Sequence, residues 1–139
     1  MTAALHMHQR LEGAGIKPTH QRIVILQELT EAHDHLSAEN VYDRLRANHP
    51  SLSLGTVYRT LDLLADAGLV RRVVSDQGLK RFDANLSDHH HLVCRETHEI
   101  IDYDDPELTA LLQNYFKDKH IPGFEVGYVQ LHISGRKVA

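Results

Sequence analysis

Three hydroxyl side chains stand directly before helix-forming runs and divide the first half of the chain. Thr19, Ser37 and Ser53 each precede a segment whose apolar residues recur at helical spacing. Such residues favour the N-cap of a helix because the side-chain oxygen accepts a hydrogen bond from a backbone N–H of the first turn. Together with an earlier run at 3–14, they predict four helices before Gly68.

The residues after Gly68 predict a β-hairpin. Two short runs, 69–74 and 79–83, favour strands, and the connecting segment 75–78 ends in a glycine suited to a turn. Helices followed by such a hairpin are typical of a winged helix-turn-helix, in which the helix at 53–67 enters the DNA major groove. A helical domain with an accessory hairpin is the alternative that this pattern leaves open.

The helix at 53–67 has an apolar side and a polar side. Its apolar residues fall at the spacing of one buried face: Val57, Leu61, Leu64 and Ala65. The outward side presents Thr56, Arg59 and Thr60, with Tyr58 at its edge. Of these, Thr56, Tyr58 and Arg59 are the candidates for contacts with DNA.

The second half of the chain predicts a mixed unit of strands and helix. In chain order we expect a strand pair, a helix and a closing strand, at 89–94, 99–103, 105–119 and 124–133. The predicted fold class is therefore α+β, with a winged helix-turn-helix at 1–84 and a small α/β domain at 85–139.

Histidine is the unusual component of this composition. The chain contains twelve, and His89, His90 and His91 are consecutive. Residues 85–139 hold nine Asp and Glu against five Lys and Arg, whereas residues 1–84 hold ten of each kind. An acidic, histidine-rich half is suited to a cation, and a neutral half still binds phosphates if its basic residues share one face.

Strand geometry selects the histidines that share a face. His89 and His91 point to one side of their strand, and His90 points to the other. Three residues from other segments can complete the donor set: Asp102, Asp83 and His35. Three imidazoles and two carboxylates suit Fe²⁺, Mn²⁺ or Zn²⁺ better than Ca²⁺, and five ligands favour Fe²⁺ or Mn²⁺ over tetrahedral Zn²⁺.

Three other interpretations compete with this one. In the first, the histidines are surface residues that share no ion. In the second, the cluster is the metal site of a hydrolase. In the third, the chain stores metal and does not bind DNA. A hydrolase needs an open coordination position and a general base, and no His-Glu-x-x-His pattern occurs. The outward Thr56, Tyr58 and Arg59 argue against a storage module, so we predict a regulator and no enzyme.

The cellular compartment is predicted from what the sequence lacks. No apolar run of about 18 residues occurs, so no membrane span is expected. The N-terminus shows no secretory pattern, and a single cysteine, Cys94, forms no internal disulfide. We expect a cytoplasmic protein.

Several motifs along the chain resemble the ferric uptake regulator (Fur) superfamily. The matching stretches are Lys17-Pro18-Thr19-His20-Gln21-Arg22, His35-Leu36-Ser37-Ala38-Glu39-Asn40-Val41-Tyr42, Gly55-Thr56-Val57-Tyr58-Arg59-Thr60-Leu61, Ala67-Gly68-Leu69-Val70, Arg81-Phe82-Asp83 and His89-His90-His91-Leu92-Val93-Cys94. Each motif alone is weak, but their order and number are specific.

The resemblance implies a homodimeric repressor that binds a palindromic operator in double-stranded DNA. It also implies that the second domain is a dimerisation domain and that a regulatory metal lies between the two halves. The implied ligands are those selected above: His35, Asp83, His89, His91 and Asp102. On DNA, Tyr58 and Arg59 match contacts of the recognition helix, and Lys17 matches a basic residue that reaches the minor groove.

Two features depart from the family pattern. Members commonly hold a structural zinc with two Cys-x-x-Cys pairs, whereas this chain has Cys94-Arg95-Glu96-Thr97 and no second pair. We therefore expect no Cys₄ zinc and a small buried role for Cys94. A further histidine-rich site is expected to be absent or weak, because Val129 stands where a ligand histidine would be.

The subtype depends on the signal that the metal site senses. Asp102, in place of glutamate, resembles the peroxide-sensing PerR branch. In that branch, bound Fe²⁺ reacts with hydrogen peroxide, and a ligand imidazole, corresponding to His35 or His89, is oxidised. The three consecutive histidines and the missing cysteine pairs also resemble the haem-responsive Irr branch. We favour a PerR-like regulator that uses Fe²⁺ or Mn²⁺, with Zn²⁺ also bound in vitro. An Irr-like or Fur-like regulator responsive to iron, haem or manganese is the alternative.

Overall fold

The computed structural model describes residues 2–32, 34–74, 78, 80–87 and 89–138. The chain divides into two units, Met1–Leu86 and Ser87–Ala139, whereas the sequence places the boundary after residue 84. Among the described residues, no helix has both the length and the apolar character needed to cross a bilayer.

Four helices build the first unit, and each begins at a hydroxyl side chain. They are α1 (Ala3–Gly13), α2 (His20–Glu31), α3 (Ala38–Leu45) and α4 (Leu54–Asp66). The predicted caps are confirmed, because Thr19, Ser37 and Ser53 accept hydrogen bonds from backbone amides of the first turns. Thr2 caps α1 in the same way, through a 3.1 Å hydrogen bond from the amide of Leu5.

The apolar core of this unit draws on all four helices and on the hairpin. Its fully buried members include Leu11, Ile25, Leu26, Val41, Val57, Leu61, Leu64 and Phe82. Each such side chain contributes roughly 1.5–3 kcal/mol relative to an exposed position. Thr60, predicted to face outward, is also buried, at 5% exposure. That prediction was wrong because Thr60 lies one turn from both Val57 and Leu64 and therefore shares their face.

The predicted hairpin is present as two antiparallel strands, β1 (Arg71–Val74) and β2 (Lys80–Asp83). Residues 75–77 of the predicted turn lie outside the described residues, and Gly78 has a φ of 75°, which favours glycine. Arg72 joins β1 to α4 through contacts of 3.2 Å with Asp62 and 3.0 Å with Asp66. Because these groups are exposed, the ion pairs contribute little to the stability of the fold.

The second unit is a three-stranded sheet with one helix. Its elements are β3 (His90–Cys94), β4 (Ile100–Tyr103), α5 (Pro106–Asp118) and β5 (His132–Gly135). The strand order is β4-β3-β5, with β4 antiparallel and β5 parallel to the central β3. The predicted strand pair and helix therefore lie where the sequence placed them.

The predicted closing strand at 124–133 was wrong. The observed strand starts at His132, and residues 125–131 form no regular element. Alternation of apolar and polar residues determines which face a strand can bury, but a strand also needs a hydrogen-bonding partner. The edge of β3 pairs with residues 132–135 instead. Phe124 and Tyr128 stay 68% and 55% exposed.

Ser37 provides a test of the helix-cap assignment. Its Oγ accepts from the amide of Asn40, and the Asn40 side chain accepts from the amide of Ser37, both at 3.1 Å. Ser37→Ala removes one half of this capping box and should lower the free energy of unfolding by about 1 kcal/mol in urea titrations. Ser51→Ala, at an exposed turn position, is the control. Equal losses in the two variants would contradict the assignment.

Candidate functional site

Two of the five predicted metal ligands lie side by side in the first unit. The segment before α3 forms a short antiparallel bridge with β2, in which the amide of Phe82 donates to the carbonyl of Leu36 at 2.8 Å. This bridge places the flanking residues His35 and Asp83 opposite each other. Their Nε2 and Oδ2 atoms are 3.2 Å apart, and both residues are buried.

Neighbouring groups hold this pair in place. The Arg81 guanidinium donates a 3.1 Å hydrogen bond to the carbonyl of His35. The second carboxylate oxygen of Asp83 accepts from the amide of Asn85 at 2.8 Å. Asp83 therefore uses Oδ1 for the backbone and directs Oδ2 towards the imidazole of His35.

The other three predicted ligands lie together in the second unit. The register of β3 and β4 pairs His91 directly with Asp102. The Nε2 atoms of His89 and His91 each lie 3.4 Å from the same oxygen, Oδ1 of Asp102. Both imidazoles are buried, whereas the side chain of Asp102 is 39% exposed.

Hydrogen bonds on the far side of the His89 ring determine which nitrogen faces the carboxylate. Nδ1 of His89 is 2.7 Å from the carbonyl oxygen of Ser87. Because a carbonyl only accepts, Nδ1 carries a hydrogen, and in the neutral imidazole the lone pair is then on Nε2. The side chain of Gln130 also donates to the carbonyl of His89 at 3.0 Å, which anchors the backbone.

His90 lies on the opposite face of β3, as strand alternation predicts. Its Nδ1 accepts from the amide of Leu131 at 3.1 Å, and its Nε2 lies 3.0 Å from the hydroxyl of Thr109 on α5. Both ring nitrogens of His90 are thus engaged in packing α5 and the residues before β5 against the sheet. Val129, which stands where a further histidine-rich site would have a ligand histidine, is half-buried.

The donor chemistry of the two groups fits a divalent transition-metal ion. Each group combines imidazole nitrogen with carboxylate oxygen, and such mixed sets suit Fe²⁺, Mn²⁺ or Zn²⁺. The first group offers His35 and Asp83. The second group offers His89, His91 and Asp102, and the donor atoms of these three residues lie within 4.8 Å of one another. Neither group alone reaches the four ligands that a closed zinc site requires.

Cys94 is the last residue of β3 and lies outside the donor groups. It is buried, and hydrogen bonds from the side chain and backbone of Thr97 lower the pKa of its thiol to about 7. Thr97 therefore stands where the second cysteine of a Cys-x-x-Cys pair would be, and its hydroxyl lies close to the sulfur of Cys94.

A polar groove lies between the start of α2 and the outward face of α4. It encloses about 550 Å³ and is lined by Thr19, His20, Gln21, Arg22, Thr56, Arg59, Thr60 and Leu63. Thr56 and Arg59 were predicted to contribute to this surface, whereas the first turn of α2 was not. Polar residues directly after an N-cap were the available signal, because helix N-termini attract phosphate.

The predicted DNA-contacting residues have defined partners in this unit. Arg59 donates to the hydroxyl of Thr56 at 3.2 Å, and Thr56 in turn accepts from Ser53 at 2.9 Å. Lys17 is exposed in the segment before α2, where its carbonyl accepts from Arg22 at 2.9 Å.

Tyr58, 42% exposed on α4, donates a short hydrogen bond to the carboxylate of Glu39 on α3. This bond raises the pKa of Tyr58 and lowers that of Glu39. The two shifts stabilise the folded state between the ordinary pKa values of 4.5 for the carboxyl and 10.0 for the phenol. That stabilisation is lost as pH falls through the lowered pKa or rises through the raised one.

Comparison with known proteins identifies relatives over most of the chain. The model of the ferric uptake regulator family matches residues 13–133. A peroxide-responsive repressor, PerR, of Staphylococcus aureus is 31% identical over 125 residues, which cover 90% of this chain and 82% of the relative.

Two solved structures share the fold. The ferric uptake regulator of Pseudomonas aeruginosa with manganese has a TM-score of 0.80 and 36% identity, covering 94% of this chain and 97% of that one. The ferric uptake regulator of Vibrio cholerae has a TM-score of 0.73 and 29% identity, covering 94% and 98%. The predicted α+β fold, a winged helix-turn-helix followed by a small α/β domain, is confirmed.

The Glu39–Tyr58 bond predicts a measurable change in tyrosine ionisation. Glu39→Ala should return the pKa of Tyr58 to near its ordinary value of 10.0, because both the accepting oxygen and the negative charge are removed. An NMR titration of the tyrosine rings, with Tyr58→Phe to assign the signal, measures this change. Glu31→Ala, at the end of α2, should leave the pKa unchanged. An unaltered pKa in Glu39→Ala would mean that the two side chains do not interact in solution.

Proposed function

Because this chain belongs to the ferric uptake regulator family, we propose that it is a transcription regulator whose DNA binding depends on a divalent metal ion. The observation that carries the proposal is the pairing of buried imidazoles with carboxylates in both units. Imidazole and carboxylate groups are metal ligands. Burying such polar groups costs free energy, so a buried cluster of them is a candidate functional site. The same chain also presents a polar recognition helix.

We infer that His35 and Asp83 share one ion with His89, His91 and Asp102. Each group alone offers too few donors for a closed site, whereas together they supply five. When bound, Fe²⁺ or Mn²⁺ would supply a positive centre that accepts all five donors, and Zn²⁺ would compete with it in vitro. The manganese of the Pseudomonas aeruginosa relative supports this range of ions.

The proposed DNA surface consists of the outward face of α4 and the segment that leads into α2. Thr56, Tyr58 and Arg59 would contact the major groove, and Lys17 would reach the backbone or the minor groove. The first turn of α2 extends this surface with backbone amides suited to phosphate.

The protein would act as a homodimer on a palindromic operator. Its second unit exposes several large apolar side chains, which dimer formation would cover: Leu111, Tyr115, Phe124 and Tyr128. Two-fold symmetry of the protein then matches two half-sites about one helical turn, or a multiple of it, apart.

The five ligands would couple metal binding to DNA binding through the angle between the two units. Donors that share one ion restrict that angle, and the angle sets the spacing between the two recognition helices of a dimer. The metal can favour the arrangement that binds DNA only by the difference between its binding free energies for that arrangement and for the others. The Vibrio cholerae relative is described as showing a structural rearrangement of its DNA-binding domains, which is consistent with such coupling.

Within this family we favour a peroxide-responsive repressor. The Staphylococcus aureus relative carries that name, and Asp102 resembles the corresponding branch. His35 and His89 are then the imidazoles at which oxidation would remove a ligand. Iron, manganese or haem as the signal are the alternatives.

Two variants separate metal binding from DNA recognition. Asp102→Ala removes an exposed ligand and should abolish the increase in operator affinity on adding Mn²⁺, which we expect to be roughly 5–150-fold at fixed salt. Arg59→Ala should bind Mn²⁺ normally but lose roughly 1–3 kcal/mol of operator affinity. Fluorescence anisotropy with an operator selected from random duplexes measures both effects.

The control for these variants is Arg95→Ala, which removes an exposed positive charge from the turn after β3. It should bind both Mn²⁺ and operator as the unaltered protein does. Equal operator affinity of the metal-free and metal-loaded proteins would contradict metal-dependent regulation. Normal operator binding by Arg59→Ala would contradict the assigned recognition face.

Peroxide sensing predicts a covalent change at a ligand histidine. Protein loaded anaerobically with Fe²⁺ and then treated with hydrogen peroxide should gain one oxygen atom on the peptide that holds His35 or His89. Mass spectrometry detects the gain, and Mn²⁺-loaded protein treated in the same way is the control. Unmodified peptides in the Fe²⁺ sample would favour an iron, manganese or haem signal instead.

A further inference from the structure

We propose that His132 is a positioning residue of the metal site, which holds His91 in the tautomer and orientation that ligation requires. This inference rests on the proposed function, because it concerns the same site. His132 was not among the residues predicted from the sequence, and it lies in a different strand from every predicted ligand.

The sheet topology brings the two histidines together. β5 runs parallel to β3, and their register pairs His132 with His91. Nδ1 of His91 is 3.3 Å from Nε2 of His132, and the ring centroids are 5.1 Å apart at an interplanar angle of 87°. His91 is fully buried, whereas His132 is exposed at the sheet edge.

The positions of the ring nitrogens assign the hydrogen between them. Nε2 of His91 faces the carboxylate of Asp102, on the side where the ligands converge, so that nitrogen must present its lone pair to an ion. The hydrogen of a neutral His91 then resides on Nδ1 and needs an acceptor. Nε2 of His132 lies where this acceptor is required.

His89 and His91 therefore use different acceptors for the same purpose. His89 donates from Nδ1 to the backbone carbonyl of Ser87, which no substitution removes. His91 donates to a side chain, His132, which a substitution can remove. An acceptor of this kind fixes the ring and increases the donor strength of the ligating nitrogen, and its loss typically lowers metal affinity 10–100-fold.

The exposure of His132 makes the test practicable, because its replacement leaves the buried residues of the sheet in place. His132→Leu removes the acceptor and keeps the apolar bulk. His132→Gln supplies a carbonyl oxygen at about the distance of Nε2 and should restore the hydrogen bond. His120→Leu, which removes another exposed imidazole of the same unit, is the matched control.

The experiment measures Co²⁺ binding to the full-length protein by competition with a chelator, together with the ligand-field absorption of bound Co²⁺. His132→Leu should bind Co²⁺ roughly 10–100-fold more weakly, whereas His132→Gln should recover most of the affinity. His120→Leu should match the unaltered protein. The absorption spectrum should keep its shape in every variant, because the atoms that ligate the ion stay the same.

Three results would overturn the inference. Equal affinities of the His132→Leu variant and the unaltered protein would show that His91 needs no acceptor, and would leave the proposed function intact. Equal losses in both His132 variants, with a changed spectrum, would make His132 a ligand. Failure of the unaltered protein to bind Co²⁺ at all would overturn the proposed function as well.

Discussion

The register between β3 and β4 is the constraint on which the larger donor group depends. It places His91 opposite Asp102 and, through the two-residue period of a strand, brings His89 to the same carboxylate oxygen. A slip of one residue would turn both imidazoles to the other face and bring His90 to Asp102 in their place. The hydrogen bonds of His90 with Thr109 and Leu131 oppose that slip, since they anchor the opposite face to α5 and to the chain before β5.

The first unit builds its donor pair by the same means on a smaller scale. A single antiparallel bridge between Leu36 and Phe82 sets His35 against Asp83, and Phe82 is itself buried in the core beneath the helices. The position of a candidate ligand is thus tied to apolar packing. In both units, backbone pairing places imidazole beside carboxylate, and hydrogen bonds to the remaining polar atoms hold the side chains there.

The polar face of α4 is arranged through bonds within the protein. Arg59 contacts Thr56, and Tyr58 contacts Glu39, so these side chains already have partners before any ligand approaches. Binding a nucleic acid would exchange these contacts for contacts with phosphates and bases, and the net gain would be the difference between the two sets. The carboxylate of Glu39 restrains Tyr58 through a hydrogen bond that joins α3 to α4, the two helices of the helix-turn-helix.

Local features of the sequence determined most of the helices. N-cap hydroxyls and apolar spacing act within a few residues, so α2, α3 and α4 could be assigned from them, and strand alternation correctly separated His90 from His89 and His91. The resemblance of the motifs to a known family then implied the same five candidate ligands that strand geometry and residue chemistry had suggested. Thr60 was misassigned because its polar side chain suggested the outer face, although its position in the helical repeat places it inside.

Only the tertiary structure decided where the last strand begins and what lies beside it. The start of β5 at His132 depends on its pairing with β3, about forty residues earlier in the chain, and no local pattern encodes a parallel register. The contacts of His132 with His91 and of Glu39 with Tyr58 arise in the same way, because each joins residues from separate elements. The sequence by itself determined the helices, the first strand pairs and the kinds of candidate ligand, whereas long-range pairing decided the last strand and which side chains meet.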